Sequence, residues 1–367
     1  MIKCRREGNT RIPSGCAISG VMHQKGKRID AEMIIHSIDC MRERSNGLGG
    51  GFAAYGIYPE FAELFALHIL YEDDTARSEA EQTIKKLCRV TLAEPIPVRE
   101  HLLKRSPEVW RYFVEPEKAD DDSEQKQIIM ELVMKINSHL TGAYVISSGQ
   151  NMGVFKGAAY PDEIAEFYRL DEYQGYLWLA HGRFPTNTPG WWGGAHPFGL
   201  LDYALVHNGE VSSYGANRSY LEMFDYEMTL QTDSEAIAYA VDLLNRRQHL
   251  PMEVVARIFA PPFWEEIDRM EPMERDFFTQ LRITYGSLLF NGPFSIIIGY
   301  NGGMMALNDR IKLRSLAAGK KGDLLLVASE EAALKAACPK LDEIWFPEGG
   351  EPVISRISNP LRKVGAA

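Results

Sequence analysis

Cysteine is scarce in this 367-residue chain, and no two cysteines form a C-x-x-C pair. The five cysteines, Cys4, Cys16, Cys40, Cys88 and Cys338, are an odd number at wide spacings. Such spacing argues against a zinc ribbon and against an iron–sulfur cluster held by this chain alone. Few and scattered cysteines are typical of proteins from a reducing compartment, so we expect a cytoplasmic location.

Long apolar runs and an excess of positive charge are also missing. No stretch of about 18 apolar residues occurs, which argues against a membrane-spanning helix. The chain has 40 Lys and Arg against 50 Asp and Glu, and its formal net charge of −10 argues against nonspecific binding of nucleic acid. The glycine-rich stretch 44–51 lacks the G-K-[ST] and G-x-G-x-x-G patterns of phosphate-binding loops, so no nucleotide site is expected there.

The patterns that are present favour a mixed α+β fold. The second half of the chain is rich in short strand-like runs, such as 176–184 and 294–300, and a strong helix is predicted over 232–247. Many strands with few long helices indicate a layered α+β architecture. A strand-like run at 16–22 follows a basic leader, which has no apolar segment and therefore is not a secretory signal.

The region 58–137 has a different character from the rest of the chain. It contains a strand-like run at 65–71, a charged amphipathic helix at 75–88 and a further strand-like run at 90–98. We interpret this region as a small βαβ-like insertion with its own core. The acidic run at 116–124 is interpreted as a solvated connector to the next helix.

Four sequence features could carry chemistry, although each has an ordinary structural alternative. Cys16 could be a nucleophile, or a small buried residue at the start of a strand. Arg183 follows an apolar strand and could bind a carboxylate through its planar fork, or form a salt bridge at a rim. Asn208-Gly209 could supply two oxyanion donors or form a hairpin turn, and Asp233 could simply cap a helix.

Taken in chain order, these features resemble the motifs of the class II glutamine amidotransferases, which use an N-terminal cysteine as nucleophile. Within that group the sequence looks most like the amidotransferase domain of glutamate synthase. The matching stretches are Cys16-Ala-Ile-Ser-Gly20, His181-Gly-Arg-Phe-Pro-Thr-Asn187, Gly190-Trp-Trp-Gly-Gly-Ala-His-Pro-Phe198, His207-Asn-Gly-Glu210, Thr232-Asp-Ser-Glu235 and Asp309-Arg-Ile-Lys-Leu-Arg314. Two departures from the family pattern are Ala17 and Ser45-Asn46.

The resemblance implies a fold and a set of catalytic groups. The fold is the four-layer αββα sandwich of the N-terminal-nucleophile hydrolases. Cys16 would attack the side-chain amide carbon of glutamine. The Asn208 side chain and the Gly209 N–H would stabilise the resulting oxyanion.

The resemblance also implies a substrate pocket. Arg183 would bind the α-carboxylate of glutamine and Asp233 its α-ammonium group, while Phe184 and Thr186 would line the pocket. The histidines of these motifs would then serve as structural or hydrogen-bonding groups, and no metal site is expected.

The position of the nucleophile implies processing of the chain. In this family the catalytic cysteine is residue one of the mature protein, because its own α-amine acts as the base. A free α-amine has a pKa of about 7.7–8.0, whereas an amine acylated by Gly15 is an amide and cannot take a proton. We therefore expect residues 1–15 to be a propeptide that is removed, residues 16–345 to form the amidotransferase domain with the insertion at 58–137, and residues 346–367 to form a C-terminal tail.

The implied function is hydrolysis of L-glutamine to L-glutamate and ammonia through a cysteine thioester, with the ammonia supplied to a glutamate synthase partner. No cofactor is expected in this chain. FMN and an iron–sulfur cluster are expected on a separate synthase subunit, and a homo-oligomer is also possible. One alternative is a stand-alone glutaminase or the subunit of another amidotransferase. A second alternative is a non-catalytic glutamine-sensing or assembly subunit that retains residues 1–15.

Overall fold

The computed structural model describes residues 15–99, 102–103, 106–184, 190–230 and 232–358. Its strands are β1 Ala17–His23, β2 Ile29–Asp30, β3 Gly50–Tyr55, β4 Phe65–Tyr71, β5 Cys88–Pro95, β6 Glu108–Pro116, β7 Ala143–Ser147, β8 Met152–Gly157, β9 Gln174–Gly175, β10 Leu177–Gly182, β11 Phe198–Leu200, β12 Tyr203–Gly209, β13 Phe294–Tyr300, β14 Gly303–Asn308, β15 Ala317–Lys321, β16 Leu324–Ala328, β17 Glu343–Trp345 and β18 Val353–Arg356. Its α-helices are α1 Glu32–Asp39, α2 Asp74–Leu87, α3 Asp122–His139, α4 Pro161–Phe167, α5 Tyr214–Glu222, α6 Asp233–Val241, α7 Met252–Phe259, α8 Trp264–Ile267, α9 Pro272–Tyr285 and α10 Glu331–Ala337.

Two antiparallel sheets stack face to face at the centre of the molecule. The first has seven strands in the order β17-β15-β16-β1-β10-β3-β8, and the second has five strands in the order β11-β12-β13-β14-β18. Apolar side chains from both sheets fill the space between them, including Ile18, Leu179, Val206, Ile297 and Met304. The inner strands are buried along almost their whole length because they have a sheet on one face and helices on the other.

Helices cover the outer face of each sheet. Helices α1, α4 and α10 pack on the seven-stranded sheet, and α6 packs on β11 and β12 of the five-stranded sheet. In α1, Ile34 and Ile38 lie one turn apart and both face the sheet. The layers therefore follow the order helix, sheet, sheet, helix, which confirms the expected four-layer αββα sandwich. We call these four layers the body.

A third sheet forms a separate layer that we call the module, residues 65–147. Its strand order is β5-β6-β4-β7, all neighbours are antiparallel, and α2 and α3 pack on one face. Because β6 separates the parallel strands β4 and β5, the chain forms a split βαβ within a βαββαβ arrangement. The other face of the module packs against the body through Leu70, Phe113 and Ile146.

The module differs from the expected insertion in three respects. Strand β6 was not predicted, and the sheet continues past residue 137 to include β7. The acidic run is not only a connector, because the Asp121 carboxylate accepts the Glu124 N–H at 2.8 Å and caps α3.

The segment after residue 345 is also part of the fold. Strand β18 pairs with β14 and completes the five-stranded sheet, so the expected boundary between domain and tail does not separate two structural units. None of the helices in the described ranges is long and apolar enough to cross a membrane.

Candidate active site

Cys16 directly precedes β1, the middle strand of the seven-stranded sheet. Strand β10 lies antiparallel to β1, with Ala17 opposite Gly182, so the chain that leaves β10 passes beside the thiol. The backbone N–H of Phe184 points at the Cys16 sulfur, with 3.4 Å between nitrogen and sulfur. Phe184 therefore approaches the candidate nucleophile through its backbone.

Three arginines act on the Cys16 thiol. Burial raises the pKa of the thiol, while the Phe184 N–H and the positive charges of Arg183, Arg314 and Arg44 oppose that rise. The Arg44 Nε donates to the Cys16 carbonyl oxygen at 3.2 Å, and its Nη1 lies 2.6 Å from Glu330 Oε1. The site is thus electropositive, which favours a thiolate and a substrate carboxylate.

Asn208 and Gly209 lie at the end of β12, in the second sheet. The Asn208 side chain is 1% exposed, and neither of its amide atoms has a hydrogen-bond partner among the described residues. Gly15 lies nearby, since a Cβ on that glycine would be 3.5 Å from Asn208 Oδ1. Within the described ranges, the amide is therefore buried beside the Gly15–Cys16 bond with unused hydrogen-bonding capacity, which is costly for a purely structural residue.

The backbone of Gly209 has a geometry that suits an oxyanion donor. The Glu210 N–H donates to the Pro293 carbonyl at 2.9 Å, so the next pair along the ladder, Gly209 and Phe294, is a non-hydrogen-bonded pair. The Gly209 N–H therefore points away from β13. Gly209 has φ of 147°, and a Cβ there would lie 2.0 Å from the Pro293 oxygen, so only glycine fits.

Arg183 and Asp233 come from opposite sides of the site. Arg183 follows β10 and is 7% exposed; burial lowers its pKa, while the charges of Cys16 and Asp233 oppose that change. Burial alone would raise the pKa of Asp233, but His207, the Val211 N–H and the Ser234 hydroxyl outweigh burial and lower it to about 2. Asp233 is therefore a half-buried anion, its side chain 23% exposed, and its charge acts on Arg183.

Comparison with known proteins decides the family. The model of the class II glutamine amidotransferases matches residues 75–341. The chain belongs to this family. An uncharacterized protein of Archaeoglobus fulgidus is 51% identical over 350 residues, which are 94% of this chain and 93% of that protein.

Two further relatives are more distant. A protein of Methanothermobacter thermautotrophicus, described as a candidate glutamine amidotransferase, is 24% identical over 330 residues, 87% of this chain and 93% of that one. The glutamate synthase [NADPH] large chain of Bacillus subtilis is 28% identical over 105 residues, 28% of this chain and 7% of that one. The match to the family model continues through most of the module, since it begins at residue 75.

Three histidines of this amidotransferase cluster at the start of α6, and two of them contact the hydroxyl of Ser234. His196 Nε2 lies 2.9 Å and His207 Nδ1 3.1 Å from the Ser234 oxygen, and His181 Nε2 lies 2.9 Å from the His207 carbonyl oxygen. Burial lowers the pKa of His181 to about 3 and that of His196 well below its usual range. These contacts hold the start of α6, and with it Asp233, against β10 and β12.

The structure brings together six of the seven predicted site residues and adds two that were not given a role. Thr186 lies outside the described residues. The two added residues are Arg44, which precedes Ser45-Asn46, and Arg314, which ends one of the stretches that match the family. The position of Arg314 at the end of a stretch that matches the family is the signal that could have identified it.

Proposed function

We propose that this chain hydrolyses L-glutamine to L-glutamate and ammonia with Cys16 as an N-terminal nucleophile. The observation that carries the proposal is the Asn208 amide, which is buried beside Cys16 without a partner among the described residues. A donor in such a position is preorganised for an oxyanion that forms only during the reaction. The family membership supplies glutamine as the substrate.

The first step requires a base for the thiol proton. Once Gly15 is removed, the α-amine of Cys16 is free, and its pKa of about 7.7–8.0 lets it accept the proton near neutrality. Arg44, Arg183 and Arg314 favour the thiolate electrostatically. We therefore propose that residues 1–15 are a propeptide that is removed before the protein is active.

The second step is acyl transfer. The thiolate sulfur bonds to the side-chain amide carbon of glutamine, and the carbonyl oxygen becomes an anion held by Asn208 Nδ2 and the Gly209 N–H. The carbon–nitrogen bond then breaks, the amide nitrogen takes the proton from the α-amine, and ammonia leaves. Water attacks the thioester, the carbon–sulfur bond breaks, and glutamate is released with a regenerated thiol.

The charges of the site select a free amino acid. Arg183 binds the α-carboxylate of glutamine, and Asp233, an anion with a pKa of about 2, binds the α-ammonium. A glutamine residue within a peptide has neither charge, so it would leave both side chains without a partner in a buried site. Phe184 and Thr186 complete the pocket in this proposal.

We further propose that the ammonia is used by a separate glutamate synthase subunit, on which FMN and an iron–sulfur cluster are expected. The support is the resemblance of the motifs to the amidotransferase domain of glutamate synthase and the partial identity with the Bacillus subtilis large chain. A cytoplasmic location would agree with this role.

The test combines intact mass with a rate measurement. The active protein should have the mass of a chain that begins at Cys16 and should release equal amounts of glutamate and ammonia from glutamine. The rate should rise when a candidate synthase subunit with FMN and 2-oxoglutarate is added, because a partner orders the segment around the site. Full activity in a chain that retains Gly15 would contradict the mechanism, and an unchanged rate without complex formation would favour a stand-alone glutaminase.

A further inference from the structure

Two buried charged side chains have no part in the proposed chemistry. Lys156 on β8 and Glu235 in the first turn of α6 are each 1% exposed. They line one small cavity together with Phe198 and Tyr239, and each feels the charge of the other. A buried charge is unfavourable unless it is paired or hydrogen-bonded, so the contacts of these two side chains are informative.

Lys156 holds the turn around Gly193, which follows Arg183 and Phe184 in the sequence. Its ammonium group donates to the Gly193 carbonyl oxygen at 2.9 Å and lies 4.5 Å from the centre of the Phe198 ring. Burial lowers the pKa of Lys156 to about 7, and the negative charge of Glu235 opposes that change. The turn that contains Gly193 is closely packed, because a Cβ on this glycine would lie 2.3 Å from the Trp191 ring.

Glu235 holds the segment that precedes Asp233. Its carboxylate accepts the Thr229 N–H at 3.1 Å, the Leu230 N–H at 2.9 Å and the Tyr239 hydroxyl at 3.1 Å. Burial raises the pKa of Glu235 to about 7, while these hydrogen bonds and the Lys156 charge oppose the rise. The carboxylate thus fixes the backbone just before α6.

We infer that Lys156 and Glu235 are a coupled pair of positioning residues that set the separation between the Arg183 side and the Asp233 side of the glutamine site. The inference rests on the proposed function, in which these two sides bind opposite ends of the substrate. Lys156 acts through Gly193, and Glu235 acts through Thr229 and Leu230. Because the pair positions the binding groups and not the nucleophile, its loss should affect substrate binding more than turnover.

The experiment is a double-mutant cycle on the purified, processed protein. Lys156→Met, Glu235→Gln and the double variant are compared with wild type for KM and kcat with glutamine. Each single variant should raise KM roughly tenfold, the loss expected for a charge-assisted hydrogen bond, with kcat within about threefold of wild type. The double variant should raise KM by less than the product of the two single effects, because it leaves no unpaired buried charge.

The control is Lys126→Met, which removes a partly buried lysine paired with Asp122 and Asp202, none of which belongs to the proposed site. Its KM should match wild type even if its melting temperature falls. If a single variant does not fold, the double variant still decides, since its KM must exceed that of wild type. Unchanged KM in folded variants, or a loss confined to kcat, would overturn the inference while leaving the proposed function intact. A wild-type chain that hydrolyses no glutamine would instead contradict the proposed function and this inference together.

Discussion

Two buried asparagines show how the body and the module differ. Asn137 in the module is 9% exposed, and its amide bonds both backbone groups of Val145, with Nδ2 donating at 3.3 Å and Oδ1 accepting at 2.7 Å. Asn208 in the body is 1% exposed and has no partner for either amide atom among the described residues. The same side chain therefore satisfies backbone groups in the module, whereas in the body we propose that it binds the oxyanion of the substrate.

Two arginines face different kinds of group in the two regions. Arg111 in the module donates to Glu94 through Nε at 2.7 Å and to the Tyr173 hydroxyl at 3.2 Å, so its charge is matched within the fold. Arg183 in the body faces Cys16 and Asp233, which are candidate reacting and binding groups. The same substitution can thus be made once in the proposed site and once in the module. The variant in the module is the control for effects on structure alone.

The largest effect is expected for cysteine. Cys16→Ala should abolish glutamine hydrolysis, because no other group can form the thioester, while the melting temperature stays close to that of wild type. Cys88→Ala is the control: this thiol is buried at the start of β5, and burial raises its pKa to about 12. Glutamate release and thermal unfolding measure both variants. Residual activity of Cys16→Ala above background would show that Cys16 is not the nucleophile.

The asparagine pair should give the next largest effect. Asn208→Ala should lower kcat by about 10²–10³-fold, the usual loss for one oxyanion donor, with little change in KM. Asn137→Ala should leave kcat unchanged but cost about 1–3 kcal/mol of unfolding free energy, because the Val145 backbone groups lose their partner. Steady-state kinetics and urea unfolding distinguish the two outcomes. Equal kcat values for the two variants would show that Asn208 does not stabilise the oxyanion.

The arginine pair should affect binding. Arg183→Lys keeps the charge but loses the planar fork, so KM for glutamine should rise roughly tenfold with a smaller change in kcat. Arg111→Lys should leave KM at the wild-type value, since its partner Glu94 belongs to the module. If Arg183→Lys instead lowered kcat alone, the assigned carboxylate contact would be wrong.

The histidine pair is expected to affect the free energy of unfolding at acid pH. Burial lowers the pKa of His181 in the body and of His68 in the module to about 3. An unfolded histidine has a pKa of about 6.5, so the unfolded state binds more protons, and stability is lost as pH falls from about 6.5 toward 3.

The contribution of His68 to the loss of stability at acid pH can be tested by one substitution. His68→Gln should reduce the slope of unfolding free energy against pH by about 1.4 kcal/mol per pH unit in that range. Urea unfolding between pH 4 and 7 measures the slope. Since His68 contacts Tyr58 and the Val154 carbonyl and not the proposed site, kcat at neutral pH should not change. An unaltered slope would mean that His68 is not held neutral.

The sequence was most informative where several residue types follow one another at fixed spacing. The resemblance of His207-Asn-Gly-Glu210 and of the run that begins at Cys16 to family motifs supplied most of the expected site residues, and their roles remain predictions. Both features lie at an end of an inner strand. Arg314 and Lys156 were not expected near the site, since their positions depend on contacts between residues that are far apart in the sequence. The partner of a buried lysine cannot be read from local pattern alone.

The fold shows the same limit. Strand β4 and helix α2 were predicted from local periodicity, but strand β6 was not. The position of β6 between β4 and β5 depends on pairing between residues that are far apart in the sequence. The strand β18 lies in the segment expected to be a tail, and it is a strand only because β14 offers an open edge. Both β6 and β18 are strands because of the strands with which they pair, and local propensity alone did not indicate them.

The position of β1 has a consequence for the motion of the chain end that cleavage would create. Chain ends normally fray, but this one would begin a strand with neighbours on both edges. The Ile18 N–H donates to the Ser329 hydroxyl at 3.1 Å, and the Ile18 carbonyl accepts the Ser329 N–H at 3.0 Å. Amide hydrogens from Ile18 onward should therefore exchange with solvent only when the sheet itself opens. A new amino terminus at Cys16 would therefore lie one residue before a strand that is paired on both edges, and we expect this strand to limit the motion of its amine.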